Sequence, residues 1–505
     1  MGDTPAGEAH TLSRMRKTAL VGGLCLALGG FAGATLQAAV AAPPAAAPSE
    51  SSEPASIRPA VEPVVAAPVD YSRFRKLDRF ARALAIIEQY YVRPVDGEAL
   101  IEAALDGLVA ELDPHTSYLP PADAKLLLED TEGRFGGVGL VVTLRVEPLA
   151  PDQPDAAVVA EPSTSEEPGE AVRLVLYIDD VIPGGPAARA GLVAGDRIVA
   201  IEGKPIANFS DLSDAVRVMR GEPGTTVSFT YLRQGAAERR VTVTRAIVDP
   251  PAVEVRWLGE GLGVLRLRDF QAASARELRA GLAELRASAK REGQALDGVV
   301  LDLRDNGGGL LDQAIEIVDM FVARGVIVRT RGRQARLLDE AHAHLAGTNT
   351  DLPLVVLMNK GSASASEIVA GALQDHHRAL IIGERSYGKG SVQSPFQIGD
   401  GALIKLTTAL YYTPADRLIQ ASGIEPDVMV GPLLAEYNDS RPNLRPERGN
   451  PAHLKPEDFG RPPVPEDDTR KSPARIEAGE DAQLLAAIDH LAAWAWVQPS
   501  KRRRR

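Results

Sequence analysis

Cysteine is almost absent from this sequence. Cys25 is the single one, so neither an internal disulfide nor a cysteine-ligated zinc site can form. If Cys25 lies outside the folded part, a thiol nucleophile is excluded as well. Excess positive charge is also lacking: 56 basic against 68 acidic residues leave a net charge of −12, which argues against general nucleic-acid binding. Aromatic residues are scarce at 5%, whereas 46 glycines and 37 prolines point to loops and linkers between ordinary globular parts. A chain of 505 residues, 45% hydrophobic, is too long for one core and implies two or three domains.

The N-terminus carries Arg14, Arg16 and Lys17, then an uncharged run from Ala19 to Leu36, then small residues through Ala42. Basic start, apolar middle and small-residue end predict a secretory signal over 1–42, and the run is also long enough for an uncleaved membrane anchor. Gly22, Gly23, Gly29, Gly30 and Gly33 make it weakly apolar and favour cleavage. Leu24 before Cys25 argues against lipoprotein attachment. The rest of the chain is therefore expected outside the cytoplasm, in the periplasm or cell envelope. Residues 43–70 read as a Pro/Ala-rich linker. Residues 432–505 read as a Pro-rich and basic extension. Within it, 432–475 is expected not to pack. Ala482–Trp496 is expected to form an amphipathic helix through Leu484, Leu485, Ile488 and Leu491, and Lys501–Arg505 a solvated tail.

Residues 71–132 read as an N-terminal helical region. Phe74, Leu77, Phe80, Leu84, Ile87 and Tyr91 recur at helical spacing, and a second stretch runs from Leu100 to Leu112. Such a stripe serves as core or as a surface for a partner, including a second copy of the chain. From 133 to 246 the texture turns β-rich, interrupted by an acidic, Pro-rich insertion at 146–171 that leaves the strand order near the glycines open. Strands are expected at Leu174–Asp179, Ile198–Ile201 and Thr226–Leu232, with helices at Pro186–Leu192 and Leu212–Arg220. The run PAARAGLVAGDRIVAIEGKPI resembles a PDZ domain. The resemblance implies a glycine turn at Gly136, Gly137, Gly139 and Leu140 whose amides take a peptide's terminal carboxylate while the peptide adds as a strand.

Residues 247–431 alternate strands and helices in a βαβ pattern. The overall expectation is thus a multidomain α+β and α/β protein. In a parallel sheet the strand-to-helix loops gather at the carboxyl edge, where ligands bind. Three loops there are chemically unusual: Asn306-Gly307-Gly308-Gly309 with bare amides, Ser362-Ala363-Ser364-Ala365-Ser366-Glu367 with three hydroxyls at a helix start, and Gly388-Lys389-Gly390-Ser391-Val392-Gln393. Serine is a poor nucleophile without a base, and a desolvated lysine can serve as one. Gln393 stands within reach of such an amine, and the helix start at Ser364 supplies donors for an oxyanion, with the Gly307 and Gly308 amides as further candidates. The blander reading is that Ser364-x-x-Glu367 is a helix capping box and Gly-Lys-Gly a solvated loop.

Two motifs mislead. Gly383-x-x-x-x-Gly388-Lys389 is followed by Gly390 rather than Ser or Thr, so it lacks the magnesium hydroxyl of a phosphate-binding loop. His376 and His377 end the helix that begins near Ser364, about 18 Å away at 1.5 Å per residue, too far for a Ser-His-Asp triad. His342-x-His344 lacks a third ligand, so no metal and no cofactor are expected.

The runs DLRDNGGGLL, SASASEIVAGALQDHHRALIIGERSYGKGSVQ and LTTALYYTPADRLIQASGIEPDVMV resemble those of the carboxyl-terminal processing peptidases, the tail-specific serine proteases. With the PDZ and the preceding helices, the resemblance covers about residues 71–430. It implies a serine endopeptidase acting on protein substrates with accessible C-termini: Ser364 as nucleophile, Lys389 as general base, Gln393 orienting the base, and the Gly308 and Ala365 amides as oxyanion donors. Gly307 stands where the family often has proline. A homo-oligomer built through the N-terminal helices and an adaptor protein are further expectations. The competing reading is an inert PDZ scaffold in the cell envelope.

Overall fold

The computed structural model describes residues 76–148, 159–160, 171–209, 212–233, 237–431, 446–450, 452–461 and 481–497. The predicted signal or anchor, the Pro/Ala linker, the middle of the acidic insertion and the basic tail lie outside the described residues. The chain divides into two compact units, Gly30–Glu111 and a larger one that includes everything from Leu112 onward. Among the described residues no helix is long and apolar enough to cross a membrane.

In the smaller unit, helix Leu77–Tyr90 is followed by helix Gly97–Ala110, whose N-cap Asp96 accepts from the amides of Glu98 and Ala99 at 3.0 and 3.3 Å. The first helix buries no side chain: Leu77, Phe80, Ile87 and Tyr91 of the predicted stripe stay exposed.

The larger unit opens with helix Pro121–Glu132, started by proline at its first position and stopped by Gly133 at φ 75°. A β-rich part follows. Its strands Leu140–Pro148, Ala171–Val181, Arg197–Ile201, Thr226–Leu232 and Arg239–Thr244 lie side by side in that order. Leu176, Ile178, Ile198, Ile201, Val227 and Phe229 fill its core together with Met219 of helix Leu212–Met219. The AGLVAGDRI run earns its shape from Asp196, fully buried, which accepts from the Val193 amide and from both ends of the Arg233 guanidinium at 2.7 Å. The acidic insertion is narrower than expected. Val146–Pro148 and Ala171 belong to one long hairpin, with Val146 opposite Leu174 and Pro148 opposite Val172. The insertion is the hairpin's tip, so strand order through it is preserved. Pro148 is tolerated at the end of an edge strand, where its missing N–H breaks no ladder.

The peptidase part is built on a six-stranded sheet: Val253–Gly259, Leu262–Leu267, Gly298–Asp302, Leu354–Met358, Leu380–Gly383 and Val428–Met429, in that order. Only the first strand runs antiparallel to its neighbour. Helices Ser274–Arg291, Leu311–Asp319 and Ala365–Asp375 contribute to the core on one side, where Leu278, Ile317 and Val369 meet Val299, Leu301 and Val356. Helix Ala482–Val497 covers the other, laying Leu484, Ala487 and Leu491 against Val264, Val300, Val355 and Ile382. Burial on both faces is why Val299–Leu301 and Leu354–Met358 read as unbroken apolar runs rather than alternating ones. Leu491→Ala is expected to cost about 2–4 kcal/mol by opening a cavity in this second core. The shift in denaturant midpoint measures it, and an unchanged midpoint would mean the helix contributes nothing.

A second sheet joins Ser117–Leu119, Ala402–Tyr412, Gly325–Arg331 and Leu337–Ala343, with Ser391–Gly399 also paired to Ala402–Tyr412. The expectation that 432–475 would not pack is corrected for its described part. Short turns at Glu447–Gly449 and Pro456–Phe459 lie on the peptidase part. Leu454 and Phe459 pack on Leu410, Tyr412 and Leu418, Arg461 pairs with Asp416 at 2.6 Å, and Glu447 is fully buried. Single-turn helices held by scattered tertiary contacts leave no periodic signal, so composition alone misreads them.

Candidate active site

The strands ending at Asp302, Met358 and Gly383 are consecutive neighbours, so their three following loops meet at one sheet edge. The first two are stitched together by the serines. Ser362 Oγ donates to the Leu303 carbonyl at 2.8 Å, Ser366 Oγ to the Asn306 carbonyl at 2.9 Å, and the Ala363 amide to that same carbonyl at 3.0 Å. Two of the three hydroxyls in the run are therefore structural. Ser364, between them, is 2% exposed. Its backbone sits at φ 54°, ψ −111°, a region costing a non-glycine residue about 1–3 kcal/mol.

The capping residue Glu367 holds that strain in place. Fully buried, its carboxylate accepts from the Ser364 amide at 2.7 Å and the Lys389 amide at 3.0 Å through one oxygen. The other oxygen accepts from the Gly388 amide at 2.8 Å and from the Ser386 hydroxyl. The backbones of Ser364 and Lys389 are thus no further apart than two hydrogen bonds laid end to end. Burial pushes the Glu367 carboxyl up to about 7, opposed by the hydrogen bonds from Ser386, Ser364, Gly388 and Lys389. Three of those four partners are amides that can only donate, which leaves the Ser386 hydroxyl as the one partner able either to donate or to accept.

Lys389 is 7% exposed and leads into strand Ser391–Gly399, not into the helix that a phosphate-binding loop would need. Gln393, 1% exposed, donates its amide nitrogen to Ser391 Oγ at 2.8 Å and Thr407 Oγ1 at 3.2 Å. Behind it stands a buried polar network in which Thr116 Oγ1 donates to Asp113 at 2.7 Å and Thr407 Oγ1 donates to Asp113 at 3.1 Å. Gly308, at φ 106°, rides directly over the helix start: a Cβ there would fall 2.8–2.9 Å from the Ala363 carbonyl, the Ala365 nitrogen and Ser364 Cβ. Its amide donates to Asn306 Oδ1 at 2.8 Å. Ala365 opens the helix, so its amide has no partner further back along it.

The expected PDZ residues form a turn clamped from behind. Gly136 and Gly137 pair with Ala246 and Ile247 in a short antiparallel ribbon. Gly139, at φ 76°, opens strand Leu140–Pro148, and its carbonyl and that of Val138 accept from Ile182 and Ala187. That strand lies at the rim of its sheet. His376 caps the helix end and its Nε2 lies 2.7 Å from the Val326 carbonyl, while His342 and His344 face Glu340 and Asp319. No group of three metal-ligating side chains gathers among the described residues.

The sequence matches the models for peptidase family S41 over 261–430, a PDZ domain over 177–233 and the activating protease CtpB N-terminal domain over 45–122. A carboxy-terminal-processing protease of Bartonella bacilliformis is 40% identical over 368 residues, 73% of this chain and 78% of that one. The chain belongs to the carboxyl-terminal processing proteases. A second relative, from Synechocystis, is 36% identical over 69% of this chain and 75% of its own. A solved photosystem II D1 C-terminal processing protease is 29% identical, covering 71% of this chain and 92% of that one at a TM-score of 0.43. This protease is accordingly a serine endopeptidase with a PDZ domain, acting on proteins.

Two residues of the protease's site escape a reading by motif. Glu367 is visible as a capping residue, but its bonds to Ser386, Gly388 and Lys389 span 19 to 22 positions that no local pattern marks. Glu447 lies beyond the family match and bonds His115 across 332 positions.

Proposed function

We propose that the protease cleaves peptide bonds with a Ser364–Lys389 dyad after its PDZ domain has taken hold of the substrate's C-terminal region. The observation that carries this reading is the single Glu367 oxygen shared by the Ser364 and Lys389 amides. Strand Leu140–Pro148, free to add a further strand, and the Gly136–Leu140 turn would receive the tail and its carboxylate. At the sheet edge, neutral Lys389 takes the Ser364 proton as Oγ attacks the scissile carbonyl carbon. It returns that proton to the leaving amine as the C–N bond breaks. Water then attacks the acyl ester, Lys389 taking its proton and returning it to Ser364 Oγ as the ester C–O bond breaks and the product acid leaves. Because Gln393 commits its nitrogen to Ser391 and Thr407, its Oε1 is the end that can accept from the amine. Ala365 supplies one oxyanion donor, and Gly308 joins only when its amide exchanges Asn306 Oδ1 for the substrate oxygen.

Residues 1–42 send the protease out of the cytoplasm, and fusion of this segment to an export-dependent reporter tests that. The exposed stripe of helix Leu77–Tyr90 suits self-association. Phe80→Glu with Ile87→Glu should shift the sedimentation coefficient toward the monomer, and an unchanged value would remove the stripe from assembly.

The presence of Ser364, Lys389 and Gln393 together argues against an inert scaffold. Purified protease that leaves an unstructured, tailed protein uncut at every pH would overturn the reading. Amidating or trimming the substrate's C-terminus should raise KM, since the turn then loses the carboxylate it binds. Equal turnover of free and blocked tails would remove the PDZ from recognition.

A further inference from the structure

The C-terminal extension reaches the loop that carries the base. Glu447 is fully buried, and its amide donates to the Tyr387 carbonyl at 3.0 Å, two residues before Lys389. One oxygen of its carboxylate accepts from Gln420 Nε2 at 3.1 Å. Gln420, also fully buried, accepts in turn from the Gly390 amide at 2.9 Å, one residue after Lys389. The contact is tight, since a Cβ on Gly390 would fall 2.2 Å from the Gln420 nitrogen. On its far side Glu447 is met by His115 Nε2, at 2.9 and 3.0 Å from its two oxygens. His115 is anchored through its amide to Asp113 Oδ1 at 2.9 Å, and Asp113 reaches Thr407 and so Gln393. Lys389 is therefore bracketed on both sides by bonds that pass through Glu447, a residue outside the matched peptidase range.

We infer that residues 446–450 and 452–461 act as a strap that sets the position of the base, with Glu447 as its positioning residue, a conclusion that builds on the Ser364–Lys389 reading. The strap is fixed in place by Leu454 and Phe459 on Tyr412 and by Arg461 on Asp416, so its own position does not depend on Glu447 alone. Removing the Glu447 carboxylate frees Gln420 and loosens the Gly390 amide, and Lys389 then wanders from Ser364. Substrate capture, which happens at the PDZ, is untouched.

The test uses the full chain with β-casein as an unstructured substrate, comparing Glu447→Ala, Glu447→Gln, Gln420→Ala and Lys389→Ala. Circular dichroism and thermal midpoints establish which variants are folded at the assay temperature. Displacing a catalytic group by about 1 Å costs on the order of 100-fold, so both Glu447→Ala and Gln420→Ala should lose about 10- to 100-fold in kcat with KM nearly unchanged. Glu447→Gln, which keeps an acceptor for Gln420, should recover most of that loss. Wild-type kcat in both alanine variants while Lys389→Ala is dead overturns the strap and leaves the dyad standing. Loss confined to KM, or Glu447→Gln falling as far as Glu447→Ala, overturns it too. Activity in Lys389→Ala would instead sink the dyad itself.

Discussion

Ser364→Ala should abolish proteolysis, with kcat falling about 10⁴-fold or more, and Lys389→Ala should fall as far. The equality matters more than the size. A nucleophile and its base act as one unit, so removing either leaves only binding and oxyanion stabilisation. Folding should survive both changes. Bonds that shape the site run through the Ser364 and Lys389 amides, which neither change touches. Ser364→Ala even keeps its backbone tie to Glu367. Initial rates on an unstructured tailed substrate, with thermal midpoints beside them, check this. Residual activity in one variant that greatly exceeds the other would separate the two residues and break the dyad.

Glu367→Ala carries the second-largest effect, and here stability falls with activity. Its carboxylate accepts from three amides and one hydroxyl in a site without solvent, and each orphaned buried donor costs about 1–3 kcal/mol. A loss of at least about 3 kcal/mol is expected, together with a kcat as low as that of the dyad variants, because the strained Ser364 backbone then loses the acceptor of its amide and its tie to the Lys389 loop. Chemical denaturation and single-turnover rates measure the two losses separately.

The same residue gives the pH dependence a sign. Its folded-state value of about 7 lies above the ordinary 4.5, so the folded chain binds this proton more tightly than the unfolded chain. The Glu367 contribution to stability is therefore greatest below the ordinary carboxylate range and is lost as pH rises toward about 7. Activity runs the other way. A lysine must be unprotonated to act as a base, so rate should rise with pH. Between pH 8 and 6 the rate should fall while the Glu367 term alone favours the fold. A rate flat from acid to alkaline conditions would contradict a lysine base.

How much of this could be read beforehand depended on the range of the interactions. The runs Val299–Leu301, Leu354–Met358 and Leu380–Gly383 are apolar because both faces of each strand are covered, so strands, helices and edge loops were legible from local pattern. Ser364 and Lys389 were legible only together, through the neighbouring strands that bring their loops to one edge. The Gly308 amide was a candidate from the glycine run, but its engagement with Asn306 Oδ1 is a matter of conformation that the Asn-Gly-Gly-Gly run leaves free. Glu447 was invisible for a different reason. A glutamate in a proline-rich stretch looks like surface, and its burial depends on His115 and Gln420, which belong to other parts of the chain.

The most direct test is a crystal structure of the protease soaked with a peptide boronate that ends in the sequence of a cleaved tail. The account predicts boron bonded to Ser364 Oγ, Lys389 Nζ within about 3 Å of that oxygen, and the Ala365 and Gly308 amides turned toward a boronate oxygen. A covalent adduct on any other side chain, or an Nζ pointing into solvent beside the Ser364 adduct, would contradict it.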